Sequence, residues 1–233
     1  PAPAAPGSGG VTSFDAVAES YDGSFTDSRI GRAQREVVWR HLEGRVLGPA
    51  PMAILELGCG TGEDAVRFAA QGHRVHAVDS SAAMLGVGGA KAHAAGVAQQ
   101  IHFDQVHLRQ PDRLGAGSPA VDLVFSNFGP LNCLAPEQLD HLGSVLGRRV
   151  RPGGRVVLVV MPRGCPWEWL WFGLQLRPAA ALRRFKRGPV VAALGASAVS
   201  SWYHSPARVR QALGDGWRHR YTLAVGIAVP PSY

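Results

Sequence analysis

The sequence predicts an α/β fold: an open, mostly parallel sheet of seven strands with helices on both faces. Between Met52 and Met161, short apolar runs alternate with helix-like stretches, which is the pattern of parallel βαβ units. Each run is almost wholly apolar at its centre, as expected for strands covered by helices on both sides. The first run leads into a turn with three alternating glycines, a feature of the edge where such sheets bind ligands.

Five strands are predicted within this core, at Ala53–Leu57, Arg74–Asp79, Gln100–Phe103, Val121–Ser126 and Arg155–Met161. The helices between them are expected near Glu63–Gln71, Ala82–Ala95 and Pro136–Val150. The last helix is followed by Arg151-Pro152-Gly153-Gly154, a stop and a turn. The expected seven strands are completed by Val199–His204 and by one or two strands within Trp217–Val229.

The chain of 233 residues is long enough for one substantial domain. We expect a flexible tail at residues 1–12, because positions 1–10 are only Pro, Ala, Gly and Ser. The domain at 13–233 divides into an N-terminal helical cap, a core, an insert after the fifth strand and a closing segment of helix and strands, at 13–50, 51–161, 162–205 and 206–233. The cap is interrupted near Asp22–Ser28, and the closing helix begins at Ser205-Pro206.

Composition excludes several classes of protein. No apolar run reaches the length that spans a bilayer, and Cys59, Cys133 and Cys165 are too dispersed for a disulfide framework or a zinc knuckle, so we expect a cytoplasmic protein. The formal charge of +7 is mostly arginine. We interpret the clusters Arg148–Arg151 and Arg177–Arg187 as solvated faces, because no nucleic-acid motif accompanies them, and we expect no nucleic-acid partner.

The most informative segment is Ile54–Gly62, a buried strand that enters the turn Gly58-Cys59-Gly60-Thr61-Gly62 and then a helix. Glycines allow a sharp turn and leave the backbone open to a ligand, while the helix start offers amide donors. The second strand ends at Asp79, whose carboxylate is suited to the two hydroxyls of a ribose. These features predict a nucleoside site at the carboxyl edge of the sheet.

The turn also indicates which nucleoside is bound. A dinucleotide motif needs a further glycine where Glu63 stands, followed here by Asp64. Two carboxylates in the first helical turn would repel a pyrophosphate, whereas a phosphate-free, cationic nucleoside tolerates them. An NAD-type site and a glycine turn that binds nothing remain as alternatives.

Four segments in order resemble the motifs of class I S-adenosylmethionine-dependent methyltransferases, which have a Rossmann-like fold. They are Leu55–Gly62, Val78–Ser81, Asp122–Asn127 and Arg151–Val157, and the resemblance covers about Phe14 to Met161. It implies S-adenosylmethionine as cofactor, S-adenosylhomocysteine as product and a small-molecule acceptor. Transfer from a sulfonium is an in-line displacement that relies on positioning and shielding, so we expect no metal.

The resemblance implies a role for particular residues. Around the methionine half of the cofactor it places Glu56, Gly58, Cys59, Gly60 and Gly62, and it makes Tyr21 of the entry helix a cofactor-side residue. At the ribose and adenosine it places Asp79, Ser80 and Met84. Near the sulfonium and the acceptor it places Ser126, Asn127, Phe128 and Asn132. After the third strand the family usually has an acidic residue that reads adenine; here the segment is Gln105-Val106-His107-Leu108, so we expect Val106, His107 and Leu108 to read the base through their backbone.

Candidates for acceptor chemistry follow the fifth strand. Trp167, Trp169 and Trp171 lie where an insert would cover the carboxyl edge, and with Tyr203 they predict a lipophilic or aromatic acceptor, as in secondary metabolism. Core packing of these rings is the alternative. His204 is the candidate general base because its pKa suits proton removal near neutrality, and a buried structural histidine is the alternative.

Two other functions stay open. Trp167–Arg187 is both aromatic and basic, so it can rest on an anionic membrane and act on a quinone-like lipid, although Gly173 and Pro178 interrupt a continuous helix. The domain can also bind S-adenosylmethionine as a regulator without transfer activity. His73 and His76 on the second strand do not form a recognised metal motif. The oligomeric state is not predicted.

Overall fold

The computed structural model describes residues 12–114, 119–185, 188–194 and 197–226. The predicted tail therefore lies outside the described residues except for Thr12. The helices are α1 Ala18–Tyr21, α2 Arg29–Arg45, α3 Glu63–Ala70, α4 Ala82–Ala94, α5 Pro136–Arg149, α6 Pro166–Leu174, α7 Pro178–Ala181 and α8 Pro206–Leu213. Single helical turns lie at Asp15–Val17, Ala98–Gln100, Pro111–Arg113, Pro130–Cys133 and Arg183–Phe185, and a π-helical turn at Asp22–Thr26.

The main sheet is parallel and has the order β3-β2-β1-β4-β5. Its strands are β1 Ala53–Leu57, β2 Arg74–Asp79, β3 Ile101–Gln105, β4 Val121–Ser126 and β5 Val150–Leu158. The predicted α/β fold is confirmed. The order reverses direction beside β1, and the carboxyl ends of β1, β2 and β4 meet at that point, which is where open α/β sheets bind ligands.

The prediction of seven strands is wrong, because the main sheet has five in the described part of the chain. Residues 197–201 form β7, which pairs antiparallel with β6, Val190–Leu194, in a separate two-stranded sheet. Residues 217–226 form no strand, and 227–229 are not described. A strand can form only where the edge of another strand is free to pair with it. Residues 217–226 instead pack against α2, where the Tyr221 hydroxyl lies 2.7 Å from His41 Nε2.

Two strand boundaries also differ from prediction. β3 begins and ends later than expected, at Ile101–Gln105. β5 begins at Val150 and includes the Arg151–Gly154 segment that was predicted as a stop, because Val150 already pairs with Val121 before an irregularity in register. The helices α3, α4, α5 and α8 lie within a residue or two of their predicted positions.

The two faces of the sheet are covered by two apolar clusters. Alternate residues of β1 contribute to each, Ile54 to one and Leu55 to the other. The first cluster packs against α2, α3 and α4 around Trp39, Phe68 and Phe125, and the second packs against α5 and α8. Among the described segments, no helix is both long and apolar enough to cross a bilayer.

Candidate functional site

The glycine turn after β1 is shaped by the close approach of other parts of the chain. Gly58 and Gly62 have φ of 67° and 72°, a region that favours glycine. A Cβ at Gly58 would lie 2.3 Å from Pro130 Cβ, and one at Gly62 would lie 3.1 Å from Gly88 Cα. Gly60 differs, because no heavy atom of the described chain comes within 4 Å of its Cβ position. The turn is thus tightly packed on both sides and open at its centre.

Asp79 lies at the carboxyl end of β2 and faces this turn. One carboxylate oxygen accepts a hydrogen bond from the Gly60 amide and the other accepts one from the Ser81 amide, both at 2.9 Å. Burial raises the pKa of Asp79 above its ordinary value, and these backbone amides oppose the rise. The carboxylate is therefore fixed in place and keeps lone pairs for a further donor such as a ribose hydroxyl.

Glu56 and Arg35 bring opposite charges to the same buried place. Glu56 in β1 is 2% exposed, and burial raises its pKa well above the ordinary value, with Asp64 adding to the rise and Arg35 opposing it. Glu56 Oε2 and Arg35 Nε are both buried and lack a hydrogen-bond partner among the described residues. A buried acceptor and a buried donor without partners are costly unless a ligand satisfies them.

The N-terminal cap is tied down over the glycine turn. Asp22, in the π-helical turn, accepts a hydrogen bond from the Thr61 hydroxyl at 2.6 Å and pairs with Lys91 Nζ at 2.8 Å. Asp15 accepts a hydrogen bond of 2.5 Å from the hydroxyl of Ser81, the residue that caps α4. π-helical turns often occur at functional sites. These contacts hold the cap against the edge of the sheet where Asp79 and the glycines lie.

Three aromatic rings extend from this cap to the end of β4. The centroids of Tyr21 and Phe25 are 5.7 Å apart, and Phe25 meets Phe128 edge-to-face at 5.0 Å. Burial raises the pKa of Tyr21 to about 12, so its phenol stays neutral. Phe128 has a φ of 53°, a strained conformation for a non-glycine residue and one that clusters at functional sites. Phe25 thus contacts both Tyr21 and Phe128, two of the residues predicted to lie near the cofactor.

Asp64 has a different role from the one inferred for it. It accepts hydrogen bonds from Arg35, from Trp39 Nε1 at 2.6 Å and from Asn127 Nδ2 at 3.0 Å. Glu63 is paired with Lys91 at 2.9 Å. Both acids are neutralised by neighbouring cations, so the argument that they repel a pyrophosphate is weaker than the sequence indicated.

Arg35 was missed at the sequence level, although a signal for it exists. Val38, Trp39 and Leu42 form the buried stripe of α2, and Arg35 lies on the same stripe one turn earlier. A charged residue on an apolar stripe indicates a buried partner. That partner, Asp64, follows the glycine turn, which is how α2 is joined to the site.

The adenosine side is built from the ends of β2 and β3. Met84 is buried in the first turn of α4, and Ser80 accepts a hydrogen bond from Gln105 Nε2 at 3.0 Å through its carbonyl. The Val106 amide donates to the Asp79 carbonyl at 2.9 Å, so it is not available to read a base. His107 and Leu108 keep that predicted role.

Other predicted site residues serve the fold. Cys59 is buried, and burial raises the pKa of its thiol. Ser126 donates to the Leu57 carbonyl at 2.9 Å and joins β4 to β1. Asn132 is fully buried; its amide donates to the Met161 and Trp202 carbonyls and accepts from the Met161 amide, at 3.0, 2.6 and 2.8 Å. This geometry favours a structural role for Asn132 over contact with a substrate, because its side chain joins three backbone segments.

His204 lies in a similar setting. It is 3% exposed, and its Nε2 lies 3.0 Å from the Leu134 carbonyl, so that nitrogen carries the proton and donates. Burial lowers the pKa of His204. This geometry favours the structural histidine over the general base.

In the insert after β5, helix α6 buries a charged side chain and exposes apolar side chains to solvent. Glu168 in α6 is fully buried and pairs with Arg184 through two bonds, at 2.9 and 2.6 Å, and with Arg183 at 2.7 Å. Arg184 is 8% exposed and lies 4.7 Å from the Tyr203 ring centroid. The interpretation of this basic cluster as a solvated face is wrong for Arg184; Lys186 and Arg187 are outside the described residues.

The outward surface of the insert is strongly apolar. Trp169 and Trp171 are 41% and 56% exposed, and Trp169 stacks on Phe185 with 6.0 Å between centroids. Trp167 is half-buried. Further exposed apolar side chains of this insert are Leu170, Leu174, Leu176, Leu182 and Val191. A patch of this kind indicates an apolar partner or ligand.

The fold defines a Rossmann-like α/β domain, with a candidate nucleoside site at the carboxyl edge of its sheet. Residues 54–154 match a family described as a methyltransferase domain. The chain is 34% identical over 147 residues to a demethylmenaquinone methyltransferase of Clavibacter sepedonicus, covering 62% of this chain and 55% of that protein. It is 31% identical over 151 residues to the tRNA 5-carboxymethoxyuridine methyltransferase of Escherichia coli K12, covering 63% and 55%.

Among solved structures, the chain is similar to one described as a DhpI-SAH complex, with a TM-score of 0.58, 21% identity and coverage of 86% of this chain and 81% of that one. Over residues 54–154 and in the order of its motifs, the chain is similar to class I S-adenosylmethionine-dependent methyltransferases. It spans about half the length of the two curated relatives, 55% in each case.

Proposed function

We propose that this protein transfers the methyl group of S-adenosylmethionine to a lipophilic small-molecule acceptor. The observation that carries the proposal is that Glu56 and the nearby Arg35 each have a buried polar atom without a hydrogen-bond partner among the described residues. The methionine part of S-adenosylmethionine carries an ammonium group and a carboxylate. It can therefore bind the acid of Glu56 and the guanidinium of Arg35 at the same time. The open centre of the glycine turn at Gly60 leaves room beside them.

The remaining contacts follow from this placement. Asp79 accepts the ribose hydroxyls while Gly60 and Ser81 hold its carboxylate, and His107 and Leu108 line the adenine side. Bound S-adenosylmethionine supplies an activated methyl group on a sulfonium. Tyr21 and Phe128 shield the reacting end from water, and their rings present apolar faces to a cation. No proton transfer by His204 is needed for a neutral amine acceptor.

The nature of the acceptor is supported by the insert. Exposed Trp169 and Trp171 follow β5, and segments in this position lie near the carboxyl edge of the sheet. The Clavibacter relative is named a demethylmenaquinone methyltransferase, which is consistent with a lipophilic acceptor. The Escherichia coli relative is named for tRNA, so RNA belongs in any panel of acceptors.

Two measurements test the proposal. Calorimetry should detect binding of S-adenosylmethionine and S-adenosylhomocysteine, and labelled methyl should transfer to apolar acceptors rather than to RNA. The double variant Trp169→Ala with Trp171→Ala should raise the KM for acceptor far more than the Kd for cofactor. Leu223→Ala, an exposed apolar change outside the insert, is the matched control. Equal changes in KM and Kd would contradict the acceptor assignment, and binding without transfer to any acceptor would favour a regulatory domain.

A second candidate function is methylation of a lipid at a membrane surface. The exposed apolar residues of α6 are bordered by exposed Arg163 and Arg177, a combination that suits an anionic membrane. Flotation with anionic vesicles separates the two. Co-flotation that is lost in the Trp169 and Trp171 double variant supports the membrane, and absence of co-flotation supports a free acceptor.

A further inference from the structure

Two histidines and an aspartate meet on β2 and β3, outside the nucleoside site. His76 of β2 and His102 of β3 are register partners, so their side chains leave the same face of the sheet. Asp104 lies two residues beyond His102 on the same strand and therefore projects from that face as well. β3 is the edge strand of the sheet, which leaves the cluster open on one side.

The three donor groups are close enough for a shared ion. One nitrogen or oxygen from each residue lies within 4.8 Å of the others, and His76 Nε2 is 3.5 Å from Asp104 Oδ2. Bonds of about 2.0–2.2 Å place the donors of a tetrahedral zinc site about 3.4 Å apart. The His76 and Asp104 atoms already have that separation, and a shift of the exposed His102 side chain by at most about 1.4 Å would complete the set.

His76, a half-buried member of the cluster, has a ring nitrogen that lacks a good hydrogen-bond partner. His76 Nε2 is buried and has no hydrogen bond within normal limits to any described residue; the carboxylate at 3.5 Å is at the outer limit. The centroids of the His76 and His102 rings are 5.1 Å apart, so the two imidazoles are neighbours on this face of the sheet. Arg149 is a positive charge near His76, and the negative charge of Asp104 opposes its effect there. The Arg149 guanidinium also donates a hydrogen bond to the Pro119 carbonyl at 3.3 Å.

We propose that His76, His102 and Asp104 bind one divalent transition-metal ion, with Zn²⁺ as the best match, and that the ion joins the edge strand β3 to β2. Two imidazole nitrogens and one carboxylate oxygen are ligands that Zn²⁺ prefers, and water completes the coordination. Solvent-exposed His102 provides the path of entry. The ion holds an edge strand that otherwise has a neighbour on one side only.

This site is separate from methyl transfer, where no metal is expected. It also differs from the pair of His73 and His76 noted in the sequence. His73 is not part of the cluster, because its Nδ1 is occupied by a hydrogen bond from the Met52 amide at 3.2 Å. Only the parallel register of β2 and β3 brings His102 and Asp104 to His76.

The test is titration of the metal-stripped protein with Zn²⁺ in a buffer that does not chelate it, followed by Co²⁺ substitution. We expect one ion per chain, a rise in Tm on binding, and cobalt absorption without a thiolate charge-transfer band. His102→Ala and Asp104→Asn should each weaken binding by roughly tenfold or more and abolish the rise in Tm. Both residues are partly or fully exposed, so folding should survive, and His93→Ala on α4 is the control because it removes an exposed imidazole elsewhere.

Unchanged Zn²⁺ affinity in His102→Ala and Asp104→Asn would overturn the proposal, as would a thiolate band that assigns the ion to cysteine. Absence of binding to the wild-type chain would overturn it too. Cofactor calorimetry on the same samples keeps the two questions apart, because binding of S-adenosylhomocysteine does not require these three residues.

Discussion

Arg35 in α2 donates a hydrogen bond to Asp64 in the first turn of α3, and this buried ion pair connects the N-terminal cap to the glycine turn. The side chains are 13% and 4% exposed. Asp64 also holds Trp39 and Asn127, so one carboxylate joins the cap, the turn and the end of β4. The pair positions Arg35 beside Glu56, where the amino-acid end of the cofactor is proposed to bind.

Replacing Asp64 should destabilise the protein strongly. Asp64→Ala leaves the Arg35 charge buried without its partner, and breaking a buried pair in this way costs about 3–5 kcal/mol. Urea unfolding measures the free energy. Glu36→Ala is the control, because its pair with Arg67 is exposed and should contribute less than about 1 kcal/mol. Equal losses in the two variants would show that Asp64 is not the central contact described above.

Replacing Asp79 should weaken cofactor binding more than folding. Asp79→Asn keeps the shape of the side chain but loses the charge and one acceptor, and a bond to a charged group contributes about 1.5–3 kcal/mol, roughly 10- to 100-fold in Kd. Calorimetry with S-adenosylhomocysteine measures the change. The exposed Asp140→Asn serves as control. A Kd that stays at the wild-type value would remove Asp79 from the ribose site.

Glu56 predicts a pH effect with a definite sign. Burial and the nearby Asp64 raise the pKa of Glu56 well above 4.5, so its contribution to stability is fully present below the unfolded pKa and is lost as pH rises through the folded pKa. Glu56→Gln removes this loss. Without ligand, the variant should therefore gain Tm relative to wild type as pH increases from acid to alkaline conditions.

The same Glu56→Gln variant should bind S-adenosylmethionine more weakly, because a neutral amide is a poorer acceptor for an ammonium group. Thermal melts across pH and cofactor calorimetry provide the two readouts. A difference in Tm that does not vary with pH would show that Glu56 titrates normally. Undiminished affinity for the cofactor would place its amino group elsewhere.

Replacing His204 should distinguish a structural role of this residue from a catalytic one. Its Nε2 donates to the Leu134 carbonyl in a buried setting, so His204→Ala should cost about 1–3 kcal/mol of stability. The rate of transfer by the folded enzyme should keep its dependence on pH. Loss of the acidic limb of the pH–rate profile, at temperatures where the variant is folded, would restore His204 as a general base.

Much of the site followed from local sequence pattern. Apolar runs predicted β1, β2 and β4, and the Gly58–Gly62 turn and Asp79 lie at the carboxyl edge where that pattern puts them. Such features depend on a few consecutive residues and on the rule that parallel strands end at one edge. The closing strands were not predictable in the same way, because 217–226 needs a free edge to become a strand and instead packs against α2.

By itself, the sequence determined the α/β core, the glycine turn and the resemblance to the methyltransferase family, since these depend on periodicity and on short motifs. Only the tertiary structure decided that Arg35 meets Asp64, that Glu168 is buried under Arg184, and that His76 meets His102 across two strands. The physical reason is that charged and polar side chains find partners through strand register and helix packing, which join residues far apart in the chain. Burial then makes each of those partnerships strong, because an unpaired polar group inside the fold is costly.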